Sequence, residues 1–193
     1  MYLNIWVAIM SALILVLLIF NVRNSRRFNL FDHWLHHKLV GQHDGFSWQI
    51  ITFINDPKLL VVWDIFLASF LINEEKNLAA LWVLFTLGFT DLSGLLLKKW
   101  MHRKRPLMHS SLEDGYSFPS GHVLGTTSMI LIIWEIFGTK FGNGLIITLA
   151  VIWIMVVISR ISLKAHYPSD VIGATSLAVF CFTLSQQIFL AFL

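Results

Sequence analysis

Long apolar blocks separated by short polar ones set the pattern of this chain. Uncharged apolar sequence runs from Met1 to Phe20, about the length that spans a bilayer. It has no basic leader and no small-residue cleavage site, so it reads as a retained helix rather than a signal peptide. Arg23, Arg26 and Arg27 follow and mark a membrane edge. From Asn29 to Asn55 the pattern changes. Phe31, Trp34, Leu35, Phe46, Trp48, Ile51 and Phe53 alternate irregularly with polar residues, which predicts one or two short helices lying at the interface. Asp56-Pro57 opens the next helix. Leu59 to Ile72 is apolar except for Asp64, Asn73 to Asn77 is a polar turn, and Leu78 to Leu97 is a full-length run carrying Asp91. A polar stretch from Lys98 to Pro119 separates this from His122–Phe137. A turn over Gly138–Gly144, the run Leu145–Ile158, a short polar segment and a last run, Val171–Leu193, complete the chain.

The predicted fold is therefore all-α. It is a six-transmembrane-helix bundle with spans at about 1–20, 57–73, 78–98, 121–137, 143–159 and 170–193, and with short interfacial helices between the first and second spans. There is no internal repeat, and residues 1–193 read as a single membrane-embedded domain.

Composition agrees with this reading. Of 193 residues, 56% are hydrophobic and 13% charged, about half the charge of a soluble domain. The single cysteine, Cys181, lies in the last apolar run and excludes a disulfide within the chain. The net charge of +3 comes from cations that abut apolar runs, so lipid phosphate is the natural anion and nucleic acid is not an expected partner. Asp64, Asp91 and Glu135, within apolar runs, read as interhelical hydrogen-bonding groups. His33 and His37 have the i,i+4 spacing of a metal pair, but no further ligand set accompanies them, so no metal is expected.

With six spans, the stretches 98–106, 119–122 and 159–170 fall on one face of the membrane. Together they supply Lys98, Arg105, Ser120, Gly121, His122, Arg160, His166 and Asp170. Each alone has a plain explanation. Lys98 and Arg105 suit snorkelling cations, as do their neighbours Lys99, Arg103 and Lys104. Ser120 suits a helix cap, His109 a loop, and Asp170 the first turn of a helix. As a set they suit phosphoryl chemistry. Cations and the free N–H groups of a helix start hold phosphoryl oxygens. One histidine can attack, another can protonate the leaving oxygen, and a carboxylate can orient the first.

The order K-x6-RP at Lys98–Pro106, PSGH at Pro119–His122 and SR-x5-H-x3-D at Ser159–Asp170 resembles the three-part signature of the type-2 phosphatidic acid phosphatase superfamily. No signature position departs from it, and the six-helix layout extends the resemblance over nearly the whole chain. The resemblance implies that His166 attacks phosphorus to form a phosphohistidine and that Asp170 orients it. It implies that His122 protonates the leaving alkoxide and then activates water. Lys98, Arg105, Ser120, Gly121 and Arg160 would bind the phosphoryl oxygens, with no metal or other cofactor. The implied enzyme is a membrane lipid phosphate phosphatase. Phosphatidylglycerol phosphate, phosphatidic acid and undecaprenyl diphosphate are its candidate substrates, because the signature does not separate a monoester from a diphosphate. A lipid phosphotransferase and a non-catalytic lipid-binding protein are the alternatives, and nothing in the sequence fixes the oligomeric state.

The two arguments for orientation disagree. Twelve cations fall on the motif face and only Lys76 and Lys140 on the other, which by the positive-inside rule points that face to the cytoplasm. The resemblance implies a multi-pass protein of the cell membrane with an extracytoplasmic site, and this is the orientation expected here.

Overall fold

The computed structural model describes residues 2–40, 46–106 and 115–191, and every regular element among them is a helix. There are seven: α1 (Tyr2–Asn24), α2 (Arg26–Leu39), α3 (Phe46–Ile54), α4 (Pro57–Asn73), α5 (Asn77–Met101), α6 (Gly121–Ser162) and α7 (Pro168–Ala191). Four of them, α1, α5, α6 and α7, are long and apolar enough to cross a membrane. The sequence led us to expect six spanning helices, and the difference has two sources. The 17 residues of α4 make it shorter than those four. The fourth and fifth predicted spans are joined as the 42-residue α6, which departs from helical geometry at Gly142 alone (φ 58°, ψ −144°). That left-handed φ is open to glycine at little cost. There α6 doubles back, and Trp153 Nε1 donates to Thr127 Oγ1 of the first leg at 3.0 Å.

Local chemistry sets the helix starts. Ser25 accepts the Phe28 N–H and begins α2 directly after α1. Asp56 accepts the Lys58 N–H at 2.9 Å, with Pro57 in the first turn of α4. The short helices expected between the first two spans are α2 and α3. In α2, Leu30, Phe31 and Trp34 are exposed while Asp32 and His36 are buried. A helix that turns its apolar face outward and its polar face inward is suited to a lipid headgroup layer.

The core lies around α7, which packs against α1, α2, α5 and α6. One cluster joins Leu15 and Val22 of α1, Val123, Leu124 and Val156 of both α6 legs, and Val171, Ala174 and Ala178 of α7. A second joins Leu71 of α4, Val83 and Leu87 of α5, Ile132 of α6 and Phe182 of α7. Gly173 makes a notch in α7 for the Phe118 ring, since a Cβ there would lie 2.5 Å from two of the ring carbons. This notch anchors the loop before α6 on α7.

The acidic residues of the apolar runs do not do what their placement suggested. Asp64 is buried with no partner for Oδ1, Glu135 is exposed, and no hydrogen bond joins Asp64, Asp91 or Glu135 to another helix among the described residues. Helix α5 is instead tied to its neighbours by hydroxyls, Thr86 to Ser185 of α7 at 2.9 Å and Thr90 with Ser128 of α6 at 3.5 Å.

Candidate active site

Three chain segments meet at one end of the bundle. The first leaves α5 at His102, whose left-handed backbone (φ 50°) turns the chain out of the helix. Lys98 in the last turn reaches the start of α6, its Nζ lying 3.8 Å from where a Gly121 Cβ would stand. Residues 103–104 then run beside the second segment. Ser117 N–H donates to Arg103 O at 2.7 Å, and Ser117 Oγ to Lys104 O at 3.2 Å. Arg105 donates to the carbonyls of Gly115 and Ala165, each at 3.4 Å, and so spans the second and third segments.

The second segment carries the start of α6. Ser117, Phe118 and Ser120 are fully buried, and the Phe118–Pro119 peptide is cis. Ser120 occupies the capping position but makes no side-chain cap bond. Its Oγ is buried without a partner among the described residues. Nor has His122 Nε2 a hydrogen-bond partner there, with Asp56 Oδ2 4.0 Å away. Two buried polar atoms without partners at a helix N-terminus suit an anion.

The third segment closes the pocket. Arg160, in the last turn of α6, is 1% exposed and donates to Thr52 Oγ1 of α3 at 3.3 Å. His166, also 1% exposed, has Nδ1 at 2.9 Å from Ser117 O. A carbonyl only accepts, so Nδ1 carries the hydrogen and Nε2 is left as the basic nitrogen. Asp170 Oδ2 stands 3.6 Å from the same Nδ1 and accepts the Tyr167 N–H at 2.8 Å. Asp170 O also accepts the Ser120 N–H at 3.2 Å, which ties the start of α7 to the start of α6. Lys98, Arg105, Arg160 and His166 all act electrostatically on His122. Every site residue expected from the sequence thus lies in this one constellation. The nearest partner of Nδ1 is the Ser117 carbonyl, with Asp170 behind it.

Three residues of this neighbourhood were not expected from the sequence. Arg103, expected as a headgroup cation, is turned inward between Asp170 and Asp32, at 2.6 and 2.7 Å. Burial lowers its pKa, but the two carboxylates outweigh burial and raise it, so it stays charged. Asp32 of α2 has no local sequence signal for this role. Asp56 was read only as a helix start. His33 and His37 hydrogen-bond each other, Nε2 to Nε2 at 3.1 Å, and no group of three or more His, Cys, Asp or Glu converges as for a metal among the described residues. His36 is buried beneath them, and burial, then His37 and His33, lowers its pKa to about 4. His109 lies outside the described residues.

The chain is 28% identical over 161 residues to phosphatidylglycerophosphatase B of Bacillus subtilis (strain 168), covering 78% of this chain and 73% of that protein. It is 33% identical over 92 residues to phosphatidylglycerophosphatase B of Haemophilus influenzae (strain ATCC 51907 / DSM 11121 / KW20 / Rd), covering 42% and 38%. The crystal structure of a transmembrane PAP2-type phosphatidylglycerolphosphate phosphatase from Bacillus subtilis superposes with a TM-score of 0.79 at 22% identity, over 97% of this chain and 96% of that one. Residues 79–192, which contain all three signature segments, match the PAP2 superfamily, and the chain belongs to it.

Proposed function

We propose that this protein is a multi-pass membrane phosphatase that hydrolyses a lipid phosphate through a phosphohistidine on His166. The observation that carries the reading is the His166 ring. Its Nδ1–H is held by Ser117 O at 2.9 Å, which puts the ring lone pair on Nε2, and Lys98, Arg105 and Arg160 act on His122 together with this ring. In the first step Nε2 forms a bond to phosphorus, and the ester P–O electron pair leaves with the lipid alcohol oxygen. His122 supplies the proton that this oxygen takes. Lys98, Arg105, Arg160, Ser120 Oγ and the backbone N–H groups at Gly121 and His122 hold the phosphoryl oxygens while charge builds on them. In the second step water attacks the phosphohistidine, His122 takes its proton, and the P–N electron pair returns to Nε2. Asp170 stabilises the imidazolium in both steps. Every group used is a side chain or backbone group of this chain, so the mechanism needs no metal.

A lipid substrate is supported by a cavity of about 510 Å³ between α3, α4 and the two legs of α6. Its wall includes Leu60, Trp63, Met129 and Phe137, with Asn55 and Thr126 as polar members. Thr126 lies one turn below His122 on the same helix, so a headgroup at the pocket leaves its tail beside this wall. The names of the two curated relatives favour phosphatidylglycerol phosphate as the lipid.

For topology, we read α4 and the two legs of α6 as spans together with α1, α5 and α7. Six passes of one embedded unit put both termini on the side opposite the site, and we assign the site to the extracytoplasmic face of the cell membrane. Three of the motif-face cations are used on phosphate, and the buried Arg103 pair removes a further one from the positive-inside count. A C-terminal reporter active only in the cytoplasm tests this, and a silent reporter overturns it.

The function is tested by phosphate release from purified protein in EDTA, using phosphatidylglycerol phosphate, phosphatidic acid and undecaprenyl diphosphate. Release from phosphatidylglycerol phosphate that His166→Ala abolishes supports the reading. A His166→Ala variant of full activity refutes the nucleophile. Preference for the diphosphate reassigns the substrate, and phosphate transfer to an added alcohol in place of release reassigns the reaction.

A further inference from the structure

Arg103 sits between the signature positions Lys98 and Arg105, where the sequence reads as a row of headgroup cations. Its side chain is 10% exposed and is committed to the protein. Nη1 donates to Asp170 Oδ1 at 2.6 Å and to Ser169 Oγ at 2.7 Å. Nη2 donates to Asp32 Oδ2 at 2.7 Å and to Asn29 Oδ1 at 3.3 Å. The guanidinium also lies over the Tyr167 ring, 4.3 Å from its centroid. Asp32 accepts the Ser169 N–H at 3.1 Å and the Ser169 hydroxyl, so α2 also holds the first turn of α7.

The two oxygens of Asp170 are thereby given separate tasks. Oδ1 is held by Arg103, and Oδ2, with the Tyr167 N–H on it, faces His166 Nδ1 at 3.6 Å. The main chain of Arg103 does a second job. Its carbonyl accepts the Ser117 N–H at 2.7 Å, and the Ser117 carbonyl accepts the His166 Nδ1–H at 2.9 Å. One residue fixes both oxygens on the Nδ1 side of the ring. The charges also fit the reaction. Two carboxylates against one guanidinium leave a net negative cluster, and attack by Nε2 turns the imidazole into a cation beside it. The planar guanidinium offers Nη1 and Nη2 to the two carboxylates in a fixed fork, whereas an ammonium is a point charge on a flexible stem and fixes neither direction.

We propose that Arg103, seated on Asp32 of α2, is a positioning residue for the His166 nucleophile and does not bind the phosphate. This rests on His166 being the nucleophile, as argued above. It makes the interfacial helix α2 part of the catalytic apparatus.

The test measures kcat and KM for release of phosphate from phosphatidylglycerol phosphate in detergent, for wild type, Arg103→Ala, Arg103→Lys, Asp32→Asn and His166→Ala. Misplacing the ring by an ångström predicts a kcat loss of about 100-fold in Arg103→Ala, with KM within about threefold, because the phosphate-binding cations are untouched. Guanidinium ion at tens of millimolar is expected to restore about a tenth of the wild-type kcat to Arg103→Ala and nothing to His166→Ala, while equal sodium chloride restores neither. Arg103→Lys and Asp32→Asn fall between Arg103→Ala and wild type, again in kcat alone.

The proposal is overturned by a kcat in Arg103→Ala within threefold of wild type, by a matching rise in KM, or by a loss that guanidinium does not recover. Should Arg103→Ala not fold, Arg103→Lys and Asp32→Asn decide, and unchanged kcat in both overturns it. A wild type that releases no phosphate from any of the three lipid substrates, or an active His166→Ala, instead removes the nucleophile reading, and the proposal falls with it.

Discussion

Replacing Ser120 by alanine separates holding the phosphate from holding the fold. Ser120 stands at the start of α6, fully buried, yet its hydroxyl neither caps the helix nor meets another group among the described residues. Removing a buried hydroxyl that has no partner leaves no other group unsatisfied, so Ser120→Ala should keep or slightly raise the melting temperature. An ordinary cap would lose about 1 kcal/mol on the same change. Activity should respond differently. A hydroxyl donating to a charged phosphoryl oxygen is worth about 1.5–3 kcal/mol, which is about 10- to 150-fold in kcat/KM. The assay pairs phosphate release over a substrate range with thermal unfolding in the same detergent. Unchanged kcat/KM would show that Ser120 Oγ does not touch the phosphate. A drop in melting temperature matching the drop in activity would show that the hydroxyl supports the fold instead.

Other perturbations test other parts of the site. His122→Asn should slow release from an alkyl phosphate by about 100-fold or more and from p-nitrophenyl phosphate far less, since an aryl oxygen leaves without a proton. Equal losses on both substrates would refute the acid role. His36, held neutral by burial with its pKa lowered from 6.5 to about 4, makes the unfolded chain bind more protons across that interval. Its contribution is therefore complete above pH 6.5 and is lost as pH falls toward 4, on the order of 3 kcal/mol. His36→Leu should flatten the melting temperature over that window, and a slope equal to wild type would refute the assignment. Gly173→Ala puts a methyl group 2.5 Å from the Phe118 ring and must move the loop that carries Ser117 and Ser120. Overpacking of this kind costs about 1–3 kcal/mol and should lower kcat as well, while wild-type kcat would show that the notch does not position the site.

The sequence disclosed those parts of the molecule that have local signatures. Asp56-Pro57 marks a helix start in its own chemistry, and the apolar runs located the helices closely. The signature spacing brought together eight residues, and the structure finds all eight at one end of the bundle. Other features had no such signal. The acceptor for His166 Nδ1–H is a backbone carbonyl, which every residue carries, so nothing in the identity of Ser117 announces it. Arg103 looks like Lys99 and Lys104, and its inward turn depends on Asp32, 71 positions away. Gly138–Gly144 is rich in residues that weaken helices, and seven positions were read as a turn. Six of them keep helical geometry and only Gly142 breaks it. His33 and His37 have metal-pair spacing, but two rings one turn apart are also close enough to hydrogen-bond each other.

The break at Gly142 makes a pair of tongs of α6. Its two tips carry His122 and Arg160, and its pivot lies about 20 residues from either, at the far end of the bundle. The gap between those tips depends on both arms having matched lengths. A residue inserted in one arm would shift its tip by about 1.5 Å and rotate it by about 100°. The same insertion opposite would have to restore the match, so the arms can lengthen or shorten only together. The difference in length between the two arms, and not the length they share, therefore sets how His122 and Arg160 meet.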